Sequence, residues 1–266
     1  MTARAPDCAI EVRGLHKTLA EKYVLKGVDL PIYRGETLVI IGQSGCGKSV
    51  LLKHIIGLHF PDTGDIFING EPLNEVSAGK RREILASFGM LFQGAALFDS
   101  LTVGENVVFR HIQSRRYSKK EMDRIVAEKL DMVGLPGTAN LKPAELSGGM
   151  QKRVGLARAI AADPEVILYD EPTTGLDPIM ADQINDLILH MKKMLKVTSI
   201  AVTHDMVSAY KIADRISMLY NGQVIETGTP RQIQTTSNPY VKQFIHGDAY
   251  GPITTVRSFG QNGRRK

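Results

Sequence analysis

The feature that most constrains the fold of this chain is a glycine-rich stretch between an apolar run and a helical pattern. Residues 38–41 form a continuous apolar run, L-V-I-I, typical of a strand buried on both faces. The sequence G-Q-S-G-C-G-K-S follows at residues 42–49, and the apolar positions after it recur at helical spacing. Glycines let such a loop curl until its amides face phosphate groups, and the helix adds its positive dipole end. The arrangement predicts an α/β protein with a phosphate-binding loop, and a generic glycine turn is the alternative.

This loop assigns expected roles to its residues. Lys48 is expected to reach the β- and γ-phosphates of a nucleotide, and the hydroxyl of Ser49 is expected to bind Mg²⁺. The nucleotide-binding residues predicted here are Gly42, Gln43, Ser44, Gly45, Cys46, Gly47, Lys48, Ser49 and Val50.

Two further apolar runs end in polar side chains suited to phosphate chemistry. Residues 166–169 lead into Asp170 and Glu171, and residues 200–202 lead, one residue later, into His204. Ligands of open α/β sheets bind at the carboxyl ends of strands. Asp170 is therefore expected to hold Mg²⁺ through water, and Glu171 to activate the attacking water as a general base. We expect the strand before His204 to end beside the one carrying Glu171, so His204 would contact the γ-phosphate and hold that water in line; a structural histidine is the alternative.

A second glycine pair, in L-S-G-G-M, predicts a helix with a bare N-terminus. Ser147 suits the N-cap, and Gly148 and Gly149 follow it. Glycine in a helix costs up to about 1 kcal/mol relative to alanine, so a purely structural helix start would favour alanine. Close backbone approach to an anion explains the glycines. Because the chain already has one phosphate loop, we expect these three residues to contact the γ-phosphate of an ATP held by another subunit.

Composition places the chain among ordinary globular proteins. With 33 Lys+Arg against 28 Asp+Glu the net charge is +5, and 43% hydrophobic residues exclude a disordered or fibrous chain. No run of about 18 apolar residues would span a membrane, no secretory signal begins the chain, and Cys8 and Cys46 are too few for a disulfide framework, so a cytosolic protein is expected. Basic runs at residues 110–120 and 257–266 lack interleaved aromatic residues, so no nucleic-acid partner is expected.

The pattern of elements changes along the chain. Alternating runs between residues 10 and 32 predict strands, and turn residues predict hairpins near residues 66–70 and 215–226. Residues 94–163 are predicted to be mainly helical, with a capping box at Ser118 opening one helix. Strands and helices then alternate again, with a helix predicted over residues 180–195.

Six motifs in order resemble the nucleotide-binding subunit of ABC (ATP-binding cassette) transporters. They are GQSGCGKS (42–49), LFQ with Gln93, LSGGM (146–150), VILYDEP (166–172), GLD (175–177) and TH (203–204). The resemblance implies a P-loop NTPase with an N-terminal antiparallel β subdomain, a RecA-like core and an inserted α-helical subdomain. It also implies an ATPase domain over residues 1–247, with the insertion at about 94–163, and a C-terminal extension over residues 248–266.

The same resemblance implies roles that the residues alone do not define. Two subunits would pair head to tail and bury two ATP molecules between the phosphate loop of one and the LSGGM of the other. Gln93 would be the lid glutamine that contacts Mg²⁺ and water and links the site to a membrane partner. Asp177 would couple the two sites across the dimer. Where the family stacks an aromatic ring on adenine, the chain has Leu19, with Tyr23 a few residues later, and either residue is a candidate.

Segments at residues 47–53, 92–103 and 243–247 are similar to the ATPases of Mla/Mce-type lipid transporters. This resemblance implies ATP-driven phospholipid transport between inner and outer membranes, from the cytoplasmic face of the inner membrane. The implied partners are an integral membrane permease and a membrane-anchored Mce-domain lipid-binding protein. The extension over residues 248–266 would pack on the neighbouring ATPase subunit or be disordered. The alternatives are a non-transport ABC ATPase of the iron–sulfur cluster assembly type and an importer ATPase for another substrate.

Overall fold

A computed structural model describes residues 8–115 and 117–253 of the chain, and the predictions about residues 1–7 and the basic segment 257–266 lie outside them. The strands are β1 Cys8–Leu19, β2 Lys22–Tyr33, β3 Thr37–Ile41, β4 Thr63–Ile68, β5 Glu71–Pro72, β6 Phe88–Leu91, β7 Val166–Asp170, β8 Thr198–Val202, β9 Arg215–Tyr220 and β10 Gln223–Gly228. The helices are α1 Lys48–Ile55, α2 Ala78–Ala86, α3 Val103–Val107, α4 Phe109–Ser114, α5 Lys119–Met132, α6 Gly148–Ile160, α7 Pro178–Leu195, α8 Met206–Ile212, α9 Pro230–Gln234 and α10 Pro239–His246.

Within the described residues these strands form two sheets. The first is antiparallel, with the order β2-β1-β4-β5. The second has the order β10-β9-β3-β8-β7-β6; its pairs from β9 to β6 are parallel, and β10 is antiparallel to β9. The predicted α/β class and the antiparallel N-terminal sheet are confirmed. Because β8 lies between β3 and β7, the strand ends that precede residues 42, 171 and 203 meet at one edge of the sheet.

The central strand β3 is buried on both faces, as its apolar run predicts. Residues 38–41 have no exposed surface. Val39 and Ile41 pack in a cluster with side chains of α5, α6 and α7, whereas Leu38 and Ile40 pack with β1, β2, β4 and α1. Successive strand residues point to opposite faces, so one strand joins both halves of the core. This two-sided packing fixes the strand that carries the glycine-rich loop.

Most element boundaries agree with the sequence patterns, and the start of α7 differs by two residues. The Ser118 capping box forms both of its hydrogen bonds, and the hairpins β4–β5 and β9–β10 are present. Helix α7 begins at Pro178, two residues before the predicted start. The side chain of Asp177 caps it by accepting hydrogen bonds from the backbone N–H groups of Ile179 and Met180.

Two elements give no periodic signal in the sequence. Helix α2 has no buried residue, so it lacks an apolar stripe. Strand β6 contains Gly89, where a Cβ atom would lie 2.1 Å from the carbonyl oxygen of Ala159 in α6. The segment predicted to be helical from about residue 94 instead begins with irregular backbone, and α3 starts only at Val103. None of the helices in the described ranges is long and apolar enough to cross a bilayer.

Candidate active site

The glycine-rich loop joins β3 to α1, and close packing or backbone conformation requires glycine at positions 42 and 47. A Cβ atom on Gly42 would lie 2.2 Å from the carbonyl oxygen of Leu219 in β9. Gly47 has a φ of 113°, which side-chain-bearing residues rarely adopt, and it caps α1 without a side-chain hydrogen bond. The buried Lys48 donates hydrogen bonds from Nζ to the carbonyl oxygens of Gly42 and Gln43 at 2.7 and 3.0 Å. The N-terminus of α1 therefore has no side-chain cap, and the Lys48 side chain lies against the backbone of the loop.

Ser49 and Asp170 meet at the edge of the sheet. The hydroxyl of Ser49 donates to Oδ1 of Asp170 at 3.4 Å. Burial raises the pKa of Asp170, and the charge of Glu171 raises it further; the Ser49 hydrogen bond acts in the opposite direction. The charges of Lys53 and Lys48 also lower this pKa, and a bound cation would stabilise the ionised carboxylate further.

Glu171 is held by three side chains on the same oxygen. Nδ1 of His204 lies 2.9 Å from Oε2 of Glu171, and the hydroxyls of Thr174 and Thr203 donate to that atom at 3.0 and 3.4 Å. The strand order confirms that the strand preceding His204 neighbours the strand preceding Glu171. The Glu171 side chain is 11% exposed and that of His204 57%. Glu171 has a φ of 49°, a backbone conformation that clusters at functional sites when it occurs in non-glycine residues.

Gln93 lies two residues beyond β6, the strand next to β7. Its side chain is exposed, and its carbonyl oxygen accepts a hydrogen bond from Nζ of Lys152 in α6. The sheet order therefore brings the backbone of Gln93 beside the strand that ends in Asp170. Its predicted contacts with Mg²⁺ and water stay predictions.

The Ser147–Gly149 turn lies at the N-terminus of α6. The hydroxyl of Ser147 accepts a hydrogen bond from the Met150 N–H at 3.3 Å, which confirms the N-cap. Ser147 and Gly148 are exposed, and a Cβ atom on Gly148 would meet nothing closer than Leu176 Cδ2 at 4.0 Å. Within the described residues no hydrogen bond or ion pair joins this turn to the loop at 42–49. The chain's own packing therefore does not explain the glycine at position 148.

The two candidates for adenine stacking lie at the β1–β2 turn. Tyr23 is 46% exposed, its ring stacks on His16 with centroids 5.8 Å apart, and its hydroxyl forms a short hydrogen bond with Nδ1 of His16. Leu19 is half-buried. The following residues Val24 and Leu25 pack against Gly47, so the strand carrying Tyr23 runs beside the phosphate loop.

Three residues that support the site were not predicted from the sequence. Thr174 and Thr203 hold Glu171, and Lys152, which is 5% exposed, donates to the carbonyl oxygens of Gln93 and Glu171. Burial lowers the pKa of Lys152, while the nearby carboxylates raise it. A lysine two residues after L-S-G-G-M, among the apolar positions of α6, was the available signal.

The comparisons with known proteins agree with this geometry. A family model described as ABC transporter matches residues 25–174, more than half of the chain. The match includes the phosphate loop, the Ser147–Gly149 turn and both carboxylates at the end of β7. The chain therefore belongs to the ABC transporter family. It is an ATP-binding subunit of this class and an ATPase.

Several curated relatives match nearly the whole chain. The Arabidopsis thaliana protein trigalactosyldiacylglycerol 3, chloroplastic, is 41% identical, and the match covers 93% of this chain and 76% of the relative. The probable ribonucleotide transport ATP-binding protein mkl of Mycobacterium leprae is 41% identical over 92% of this chain and 71% of its own. The intermembrane phospholipid transport system ATP-binding protein MlaF of Haemophilus influenzae is 38% identical over 92% of both chains.

A solved structure shares the fold. It is the dimeric post-hydrolysis state of the ATP-binding cassette MJ0796 bound to ADP and Pi. The TM-score is 0.76 with 34% identity, and the match covers 84% of this chain and 99% of that one. This likeness confirms the predicted cassette fold.

Proposed function

We propose that this ATPase powers phospholipid transport between the inner and outer membranes through a partner permease. The hydrolytic part rests on one observation: the loop at 42–49, Glu171 and His204 converge at the carboxyl ends of three adjacent strands. The cargo is supported by relatives. Two intermembrane phospholipid transport ATP-binding proteins match 92% of this chain at 38% and 35% identity, and the plant relative carries the name of a glycolipid.

Ser49 and Asp170 fit Mg²⁺. Their oxygens are hard ligands, and Mg²⁺ in nucleotide sites typically takes one or two carboxylates plus substrate phosphates and water. The described residues contain no cluster of three or more His, Cys, Asp or Glu side chains that could hold a metal alone, so substrate oxygens would complete the coordination. We propose Ser49 and Asp170 as the protein's ligands, with Gln93 as a further contact. When bound, the ion would neutralise charge developing on the phosphates.

Glu171 and His204 would act on the attacking water, the first as a base and the second by positioning. Glu171 would accept the proton of the attacking water, because its carboxylate is held in one orientation by Thr174 and Thr203. His204 would hold the γ-phosphate and the water in line. Lys48 would move from the loop carbonyls to the phosphates, with the loop amides around it. The remaining members of this proposed nucleotide site are Gly42, Gln43, Ser44, Gly45, Cys46, Gly47 and Val50.

A second copy of the chain would complete each site. The Ser147–Gly149 turn, exposed at Ser147 and Gly148, forms the N-terminus of α6, a favourable position for a phosphate. The dimeric ADP-bound cassette supports this pairing. We propose that Ser147, Gly148 and Gly149 contact the ATP held by the other subunit, and that Asp177, exposed at the start of α7, couples the two sites.

The permease would dock on the segment that follows Gln93. Phe92, directly before Gln93, and Phe98, five residues after it, are 38% and 44% exposed, so two large apolar side chains beside Gln93 are available to a partner. This contact would hold the chain on the cytoplasmic face of the inner membrane. We further propose a membrane-anchored Mce-domain protein as a third component. We also propose an ATPase domain over residues 1–247 with the helical insertion at about 94–163, and a C-terminal extension over residues 248–266, of which residues 254–266 lie outside the described part of the chain.

Purification of the tagged chain from its native membranes in detergent tests the proposal. A permease and a membrane-anchored lipid-binding protein are expected to co-purify. The complex, reconstituted in vesicles with a fluorescent phospholipid, is expected to hydrolyse ATP and move the lipid. Lys48→Ala should lower ATP turnover by at least about a hundredfold and stop lipid transfer. Hydrolysis that persists in a clean Lys48→Ala preparation would contradict the assignment of the phosphate loop.

A second cargo has some support among the relatives. The mycobacterial relative is named as a probable ribonucleotide transport protein. If ribonucleotides stimulate ATP turnover by the complex and phospholipids do not, the lipid assignment is wrong while the ATPase assignment stands. Co-purification of cluster-assembly proteins in place of a permease would contradict the transport role altogether.

A further inference from the structure

Two cationic side chains of α6 form hydrogen bonds with the backbone of the segment that carries Gln93. Nζ of Lys152 donates to the carbonyl oxygen of Gln93. Arg158, on the same helix, donates from Nη1 to the carbonyl oxygen of Ala96 at 2.6 Å and from Nη2 to that of Ala95. Three backbone carbonyls of one short loop are therefore held by one helix.

The conformation of this loop depends on those hydrogen bonds. Ala95 and Ala96 have φ values of 58° and 49°, in the left-handed region that is unfavourable for residues with a side chain. Residues 92–102 contain no helix or strand, so the usual backbone ladders do not hold them. The donors from α6 provide partners for the carbonyl oxygens of Gln93, Ala95 and Ala96, while Asn106 of α3 holds Phe98 farther along the loop.

Lys152 also reaches the other half of the site. Its Nζ donates to the carbonyl oxygen of Glu171 at 3.2 Å. The lysine is 5% exposed, so its charge is removed from water and is satisfied by main-chain oxygens. The same buried ammonium group thus contacts the backbone of both Gln93 and Glu171, whose side chains are proposed to act on the water and the metal.

The position of Lys152 on α6 gives these contacts a second consequence. Lys152 lies about one helical turn after Gly149, near the N-terminus of α6, the helix that begins at the Ser147–Gly149 turn. In the proposed dimer this turn contacts the nucleotide of the other subunit. A displacement of α6 by that nucleotide would move Lys152, and with it the backbone of Gln93 and Glu171 in its own site.

We propose that Lys152 is a positioning residue that sets Gln93 and Glu171 relative to each other and couples the two ATP sites through α6. This inference rests on the proposed function, since it presupposes the composite sites. Lys152 does not contact the reacting atoms; it acts through the two backbone segments that it joins. A lysine that served only to satisfy buried carbonyls would affect folding stability without a selective effect on catalysis.

The test uses the full chain in complex with its membrane partners. Lys152→Met keeps the length of the side chain and removes its donors, and Lys152→Arg restores a cationic donor. Arg153→Met is the matched control, because Arg153 is the next residue of α6 and donates to Val133 and Gln183, away from the site. The measurements are kcat and KM for ATP, the Hill coefficient, ATP affinity in a Glu171→Gln background, and the melting temperature.

We expect Lys152→Met to lower kcat about tenfold or more, while ATP affinity changes by less than about twofold, because the phosphate loop is untouched. The Hill coefficient should fall toward one, and Lys152→Arg should recover much of the lost rate. Arg153→Met should leave kcat and the Hill coefficient unchanged. If Lys152→Met fails to fold, Lys152→Gln replaces it: its shorter side chain keeps one donating amide, so kcat should fall less than in a donor-free variant but still by more than about twofold, with ATP affinity again nearly unchanged.

A second substitution distinguishes positioning from general destabilisation. Gln93→Ala should lower kcat in the wild type but add less than about twofold in Lys152→Met, since the two residues act through one contact. Additive effects, a kcat within twofold of wild type, or a loss equal to that of Arg153→Met would overturn the inference. If the wild-type complex does not hydrolyse ATP, the proposed function is wrong. If the wild-type complex is active and the Lys152→Met complex is equally active, only the inference about Lys152 is wrong.

Discussion

The strand-end site and the Ser147–Gly149 turn are both glycine-rich phosphate-binding candidates, yet the chain treats them differently. At the strand-end site, close contacts with β9 and β2 require glycine at positions 42 and 47 of the phosphate loop. Three side chains hold the carboxylate of Glu171 at the same site. In the turn, Gly148 is exposed and has room for a side chain. The first region is organised by its own chain. In the second, the chain's own packing does not require the glycine at position 148, which supports the proposed site divided between two copies.

The largest expected effect comes from the organised region. Glu171→Gln keeps the shape of the side chain but removes the base, so kcat should fall by about a hundredfold to ten-thousandfold. ATP binding should remain, and size-exclusion chromatography should show an ATP-dependent dimer. Glu165→Gln, at the opposite end of β7, is the control and should behave like wild type. A Glu171→Gln chain that stays monomeric with ATP and hydrolyses it normally would remove Glu171 as the base.

The next prediction tests the turn. Gly148→Asp should fold normally because a Cβ atom fits there, and its own phosphate loop should still bind ATP. The added carboxylate would repel the partner's γ-phosphate, so ATP-dependent dimerisation should be lost and kcat should fall by at least about tenfold.

Gly79→Asp is the matched control for Gly148→Asp. Gly79 also lies in the first turn of a serine-capped helix, α2, and a Cβ atom there has equal room. Circular dichroism would verify that both variants fold. Unchanged dimerisation and turnover in Gly148→Asp would break the contrast between the two regions, since the turn would then have no role at a shared site.

The smallest expected effect lies at the β1–β2 turn and decides between Tyr23 and Leu19. Tyr23 presents an exposed aromatic ring held by His16, and stacking of a base on such a ring contributes about 1 kcal/mol, so Tyr23→Ala should raise the KM for ATP about fivefold with kcat nearly unchanged. Leu19→Ala should have a smaller effect. Steady-state kinetics on both variants measures the difference, and a larger KM change in Leu19→Ala would reverse the assignment.

Local patterns in the sequence predicted the parts of the molecule that short-range physics defines. The buried strand β3, the capped helices α5 and α6, and both hairpins agree with their patterns because period, capping and turn residues act within a few positions. Helix α2 and strand β6 escaped prediction. The first has no fully buried residue, and the second is stabilised by packing of Gly89 on α6, a contact across 70 residues.

The candidate site divides in the same way. Lys48, Ser49, Asp170 and Glu171 stand out in sequence because each follows directly on an apolar strand or a glycine loop. No local pattern contains the strand order that brings His204 beside Glu171. The same holds for the hydrogen bonds from Lys152 to the carbonyl oxygens of Gln93 and Glu171. The sequence by itself determined which chemical groups the site can use, because the order and spacing of these side chains along the chain are fixed by its covalent structure. Only the tertiary structure decided which groups meet, because the packing of helices on a sheet selects among the many arrangements that the same local elements allow.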